Sequence, residues 1–285
     1  MKHTLKKKAW LSFLATLSLI YCGCATQKKI PPEQAALILP QQHLEAGEYS
    51  QAIAAFDSAY RANPGNTAIK EAFARCLERI RQTADQAFEK NDYSQAEKTY
   101  SLLLENLRSI RDLQELLAFS EKYLNDRIKE SRVAPATRRA RQALKTGEFD
   151  LALAEMKSLV QIYPDDPDVR TSLVNLSRDI KRTADLALAR EDYAIAGKAS
   201  HALLKGYSLL EKTGTGLPFS RADLDNAIKT CRIQLTRKGL ELYRRGNLAE
   251  AIFLWQGLLA FDPDNVEIKK AVQTATEQLK KIKKK

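Results

Sequence analysis

Glycine, histidine and aromatic side chains are scarce in this 285-residue chain: 11 glycines, three histidines and 7% aromatics. With 28% charged residues, that composition suits stacked helices and argues against a sheet sandwich. His3, His43 and His201 are far apart in sequence. A zinc site wants three or four ligands in one place, so no metal is expected. Beyond the N-terminal segment the cysteines are Cys76 and Cys231, both within helical stretches. They read as small buried hydrophobes, with a disulfide as the alternative in an exported protein. There is no phosphate-cradling glycine loop, nucleophile elbow or HExxH helix, and Gly214-Thr215-Gly216 lacks the strand-to-helix setting of a nucleotide site. Acidic pairs such as Asp165-Asp166 stand where helix N-termini favour negative charge, so capping accounts for them. The expectation is a protein without catalytic residues or cofactor.

The net charge of +11 suggests nucleic acid until it is located. Lys2, Lys6, Lys7 and Lys8 lie at one end and Lys280, Lys281, Lys283, Lys284 and Lys285 at the other, leaving about +2 between them. A nucleic-acid reader carries its basic surface on the folded domain, so no nucleic-acid partner is expected.

What the chain does have begins with an address. Met1 to Lys8 is basic, Ala9 to Tyr21 is an apolar run short for a bilayer span, and Gly23 is the small residue of a processing site. The run ends Leu19-Ile20-Tyr21-Cys22-Gly23-Cys24, which resembles the lipobox of bacterial lipoproteins, with Tyr21 where leucine is usual. The resemblance implies that residues 1–23 are a signal peptide, that Cys24 is lipidated, and that 24–32 form a tether. Two or more acyl chains, at ~0.8 kcal/mol per buried CH₂, make a stable anchor. Ala25 rather than aspartate after the cysteine implies the periplasmic side of the outer membrane, the inner membrane being the alternative. A plain secretory signal or an uncleaved anchor is the other reading of this segment.

The rest of the chain repeats itself. Gly47-Glu48-Tyr49-Ser50-Gln51-Ala52 returns as Gly147-Glu148-Phe149-Asp150-Leu151-Ala152 and as Gly246-Asn247-Leu248-Ala249-Glu250-Ala251. Four residues after each alanine stands a bulky group, Phe56, Met156 or Trp255, and each unit closes at Pro64, Pro164 or Pro263. Degenerate copies occur at Asn91-Asp92-Tyr93-Ser94-Gln95-Ala96 and Glu191-Asp192-Tyr193-Ala194-Ile195-Ala196. A longer period of 100 residues relates Thr83-Ala84-Asp85 to Thr183-Ala184-Asp185. The pattern resembles the second half of the tetratricopeptide motif. In that family glycine and an aromatic mark the turn, alanine lets two helices approach, a bulky residue fills the gap and proline opens the next helix.

The expected fold is therefore all-α, a tetratricopeptide-like helical-hairpin solenoid over 33–285 with about five helix pairs and a C-terminal capping helix. Turn signals 44 residues apart leave room for elongated helices at 66–90 and 167–190, each ~36 Å long. Further long helices are expected at 111–132 and at 220–245, the second opened by a capping box at Ser220, with a loop at 212–218. Ile268, Val272, Ala275, Leu279 and Ile282 form the apolar stripe of the capping helix.

In this family the first helix of each pair lines a concave groove that binds extended peptides or partner helices. Carried onto this sequence, that register gives Thr137, Arg138, Arg141, Leu144 and Lys145, then Arg178, Lys181, Asp185 and Leu188, then Thr236, Leu240, Tyr243 and Arg244. The anchors expected to bind are Arg138, Arg141, Lys145, Lys181, Tyr243 and Arg244. Such a lining suits an acidic or amphipathic peptide, and a merely solvated helix face is the alternative. The function implied is a lipid-anchored scaffold for envelope proteins in assembly or secretion. The rivals are a binding module for a small lipid or peptidoglycan fragment and a regulator of an envelope enzyme.

Overall fold

A computed structural model describes residues 32–212, 214 and 216–282. Cys24, the signal segment and residues 24–31 of the tether lie outside the described residues. Among the described residues there is no β-strand. The helices are α1 (Pro32–Glu45), α2 (Tyr49–Ala62), α3 (Thr67–Glu89), α4 (Tyr93–Leu107), α5 (Glu121–Lys145), α6 (Phe149–Ile162), α7 (Pro167–Ala189), α8 (Tyr193–Glu211), α9 (Arg221–Arg244), α10 (Leu248–Leu259) and α11 (Val266–Ile282). Among the described residues they form five hairpins: α1–α2, α5–α6, α7–α8 and α9–α10 pack along their lengths, α3 and α4 are joined by the Asn91 turn and the Tyr100–Asp85 bond, and α11 covers α10. Two compact units divide the chain, the first ending at Ile69 and the second beginning at Lys70.

In the first unit α1 packs on α2. In the second, each helix from α4 onward packs on the next, and contacts of α5 with α7, α6 with α8 and α8 with α10 stack successive hairpins.

Every hairpin turns the same way. Gly47, Gly147 and Gly246 take φ of +76°, +74° and +81°, and Asn91 and Glu191 take 62° and 59° in the same place. The next residue's N–H bonds back five residues, Glu48 to His43, Asp92 to Ala87, Glu148 to Ala143, Asp192 to Ala187 and Asn247 to Leu242, at 2.8–2.9 Å. This is the Schellman closure, and glycine favours it because an L side chain is strained at positive φ. Each turn is followed by a buried alanine, Ala52, Ala96, Ala152, Ala196 or Ala251, all with 0% exposure. A larger side chain there would push the helices of the pair apart.

The prolines Pro64, Pro164 and Pro263 do not open helices, contrary to the sequence expectation; they stand in the turns three residues ahead of α3, α7 and α11. An Asx side chain two residues later does the opening. Asn66 accepts from the N–H of Ile69, Asp166 from those of Asp168 and Val169, and Asn265 from that of Ile268. These bonds satisfy backbone donors that a helix N-terminus leaves without partners.

A second departure concerns 111–132. Instead of one helix, Arg111–Leu116 is a 3₁₀ turn, Leu117 is extended, and α5 starts after Ser120 and continues to Lys145 through Pro135. Ser120 accepts from the N–H of Tyr123 and fixes the start. Ile110, Leu113 and Phe119 are buried, so this connector is part of the core. Pro135 has no N–H for the carbonyl of Ser131, the local defect expected of an interior proline. The helices expected at 66–90, 167–190 and 220–245 are present, and Ser220 and Asp223 make a reciprocal capping box. On α11, Ile268 and Ala275 are buried but Ile282 is exposed, so the stripe fades at its end.

The 100-residue period is written into the core. Leu124 and Leu224, Phe119 and Phe219, Ile128 and Ile228, Ile80 and Ile180, and Leu103 and Leu203 are each buried in both copies. The duplicated module is thus two hairpins with their connector. Cys76 and Cys231 are free and buried, as small hydrophobes would be. Burial pushes their thiols up to about 12 and about 11.

Candidate interaction surface

The most connected polar cluster joins α3, α4 and α5. Asp85 accepts from the hydroxyls of Tyr100 at 2.5 Å and Tyr123 at 2.8 Å on one oxygen, and from Arg81 on the other. Arg81 also bonds Glu78 at 2.9 Å, and Glu78 takes the N–H of Ala118, tying in the connector. Arg127 donates to Tyr100 and Glu130 and lies 3.9 Å over the Phe88 ring. Burial and the nearby Asp85 carboxylate raise both tyrosines above the ordinary phenol value. One hundred residues on, the equivalents are Lys181, Asp185, Leu188, Ser200, Asp223 and Ala227. Only the Lys181–Asp185 pair survives, and the buried Ser200 hydroxyl has no partner among the described residues. With Gly197 also small, Phe261 settles over α8, where a Cβ on Gly197 would lie 2.4 Å from its ring.

A second arrangement survives in both copies. Arg138 of α5 reaches back to the α3–α4 turn, donating to Asn91 at 2.8 Å and lying 5.7 Å over the Tyr93 ring. Lys238 of α9 does the same at the α7–α8 turn, bonding Glu191 at 2.6 Å and lying 4.9 Å over Tyr193. The bond to Lys238 holds the Glu191 carboxyl below its usual value. The two glycine-free turns are therefore each held by a cation from the following helix. Other charges on α5 also grip neighbours: Lys129 bonds Asp166 at 2.8 Å, Arg132 bonds Glu97 at 2.7 Å, and Arg139 makes two 2.8 Å bonds to Glu155. Lys129, aided by the N–H groups that Asp166 caps, holds that carboxyl below the ordinary aspartate value.

No protein-family model matches the chain. It is 25% identical over 202 residues to the outer membrane protein assembly factor BamD of Pasteurella multocida (strain Pm70), covering 67% of this chain and 70% of that one. A solved structure of the TPR domain of P58(IPK) aligns with 85% of this chain and 77% of its own at 13% identity, with a TM-score of 0.21. The recurring hairpin, with its Schellman turn and buried alanine, decides the type. The fold is a tetratricopeptide-like repeat of helical hairpins.

On this tetratricopeptide frame, charge separates by helix. Of the first helices, α5 and α9 are basic, with eight basic and three acidic residues on α5 and six and three on α9, whereas α7 carries four and three and α3 four and four. The second helices α4, α6, α8 and α10 each carry at most two basic residues. The near-neutral middle read from the sequence is thus an average over helices of different charge.

The six anchor residues divide evenly. Arg138 holds the Asn91 turn, Lys181 makes 2.6 and 2.7 Å bonds to Asp185, and Tyr243 packs on Trp255 and takes a bond from Gln278 at its hydroxyl. Arg141, Lys145 and Arg244 are exposed and have no hydrogen-bond or ion-pair partner among the described residues. Arg141 and Lys145 are one turn apart on one face of α5. Arg182 on α7 is likewise exposed and unpaired among the described residues, and the sequence reading missed it. Counting back from the turn residues would have found it, because Arg138, Arg182 and Arg237 each lie nine positions before Gly147, Glu191 and Gly246. Among the lining aliphatics, Leu144 and Leu188 pack against the core and Leu240 is exposed. Among the described residues no helix is long and apolar enough to cross a membrane, and no cluster of three or more metal-ligating side chains occurs.

Proposed function

We propose that this protein is a lipid-anchored, non-catalytic scaffold on the periplasmic face of a bacterial outer membrane, where it binds envelope proteins during assembly or secretion. The observation that carries the reading is the set of unpaired cations on the first helices of three consecutive hairpins: Arg141 and Lys145 on α5, Arg182 on α7 and Arg244 on α9. Exposed cations without intramolecular partners favour acidic or amphipathic segments and speed their encounter. The relative named as an outer membrane protein assembly factor supports the location, and the Cys24 segment supports the anchor.

Two experiments test this. Crosslinking in the native cell followed by mass spectrometry identifies what the protein holds, and charge reversal at Arg141, Lys145 and Arg182 should weaken that capture while helicity and melting stay unchanged. Equal capture by variant and parent would discard this surface. Replacing Cys24 with alanine should move the protein out of the membrane fraction; unchanged partitioning contradicts lipidation there.

A further inference from the structure

On the side formed by the second helices, α6 and α8 leave a cleft of about 400 Å³ with Leu173 of α7 beneath it. Its walls are Leu153, Ala202, Leu209 and Leu210, and Leu153, Leu173, Ala202 and Leu210 are buried. At its rim are Lys157, which has no partner among the described residues, and Lys205, which is 3.1 Å from Asp150. A cleft of this size with apolar walls and few polar groups is within the range of small-molecule sites.

Gly206, in the middle of this wall, points to an occupant. The helical glycines Gly197, Gly239 and Gly257 are required by packing, since a Cβ would come within 2.4, 2.2 and 2.9 Å of Phe261, Trp255 and Ala194. At Gly206 a Cβ would approach nothing closer than the Leu153 side chain at 3.6 Å, and its φ is not positive. Glycine inside a helix weakens it relative to alanine, so the fold alone gives no reason for one here. Its one structural effect is to keep the cleft open between α6 and α8.

We infer that this cleft binds the anion of a single-chain fatty acid, its alkyl chain lying along Gly206 and its carboxylate held by Lys157 and Lys205. The chain leaves water for a leucine-lined surface, and the carboxylate supplies the partner that Lys157 lacks. Asp150, the acidic group at the rim, is already matched by Lys205, so the rim keeps a net positive charge. None of the exposed cations Arg141, Lys145, Arg182 and Arg244 lines this cleft.

The test is calorimetric titration of the purified full chain with dodecanoate below its micelle concentration. Saturable binding is expected, dodecanol should bind more weakly, and Gly206→Leu should abolish binding with a melting temperature at or above that of the parent. Lys157→Gln with Lys205→Gln should weaken dodecanoate roughly tenfold, about 1.4 kcal/mol for the two exposed cations together. Absence of binding by the parent, or parent-like binding by Gly206→Leu, overturns the site. Equal affinity for dodecanol and dodecanoate, or no effect of the lysine pair, overturns the head-group assignment. If Gly206→Leu does not fold, the lysine pair and the alcohol comparison decide, because both lysines are on the surface.

Discussion

Asp85 and Asp185 occupy the same place in the two copies of the module, yet removing them should have very different effects. Asp85→Ala takes away the acceptor for the hydroxyls of Tyr100 and Tyr123 and one partner of Arg81. Tyr100 is fully buried, so its hydroxyl has no water to turn to. A hydrogen bond to a charged group contributes about 1.5–3 kcal/mol, and a buried donor left without an acceptor costs about 1–3. Arg81 keeps Glu78 and Tyr100 keeps Arg127, so about 3 kcal/mol is the expected loss. Asp185→Ala breaks only an exposed pair with Lys181 one turn away, for about 0.3–0.5 kcal/mol. At about 2–4 °C per kcal/mol for a domain of this size, that is roughly 6–12 °C against under about 2 °C. Thermal melts followed by circular dichroism at 222 nm read both. Equal shifts for the two variants would show that the cluster adds nothing to stability beyond an exposed ion pair.

Gly239→Ala should destabilise by about 1–3 kcal/mol, because the new methyl meets the Trp255 indole at 2.2 Å; a urea midpoint equal to the parent's would mean that the indole moves freely. Cys76 and Cys231, buried with raised pKa values, should resist iodoacetamide at pH 8 in the folded protein and react once urea unfolds it, and rapid native labelling would contradict their burial. The folded pKa of Asp166 is below its unfolded value, so its pairing with Lys129 adds stability above the ordinary aspartate range. That stability is lost as pH falls through the lowered value. Asp166→Asn keeps a capping oxygen but drops the charge, so its deficit in urea midpoint should be present at pH 7 and shrink toward pH 2; a constant deficit would rule out the ionic contribution.

Much of this architecture was legible because the turn chemistry repeats. The glycine, alanine and bulky-residue spacing located the hairpins, and the absence of glycine and internal proline located α3 and α7. The connector before α5 was missed for an opposite reason. Its counterpart at 212–218 contains Gly214, Gly216 and Pro218, which announce a loop, whereas 108–120 has neither residue type and reads as helix. Carrying the 100-residue period through Phe119-Ser120 and Phe219-Ser220 would have shown the break, since both serines cap helices. The interaction surface was harder to read. Arg138 and Tyr243 have the residue types of anchors, but their partners are 47 and 35 positions away and no local pattern reveals them, whereas the pairing of Lys181 with Asp185 four residues on could have been read from the sequence.

The cations held over the Asn91 and Glu191 turns bear on how such a protein can change in length. A turn closed by glycine is complete when its own two helices meet, whereas one closed by asparagine or glutamate is finished only when Arg138 or Lys238 arrives from the next hairpin. Excising α5–α6 or α9–α10 alone strands one of these corners, but cutting out 121–220 joins Ser120 to Arg221 and brings Lys238 round to the Asn91 corner. A chain shortened by 121–220 should therefore melt with the same ellipticity per residue as its parent, whereas one lacking α5–α6 alone should not.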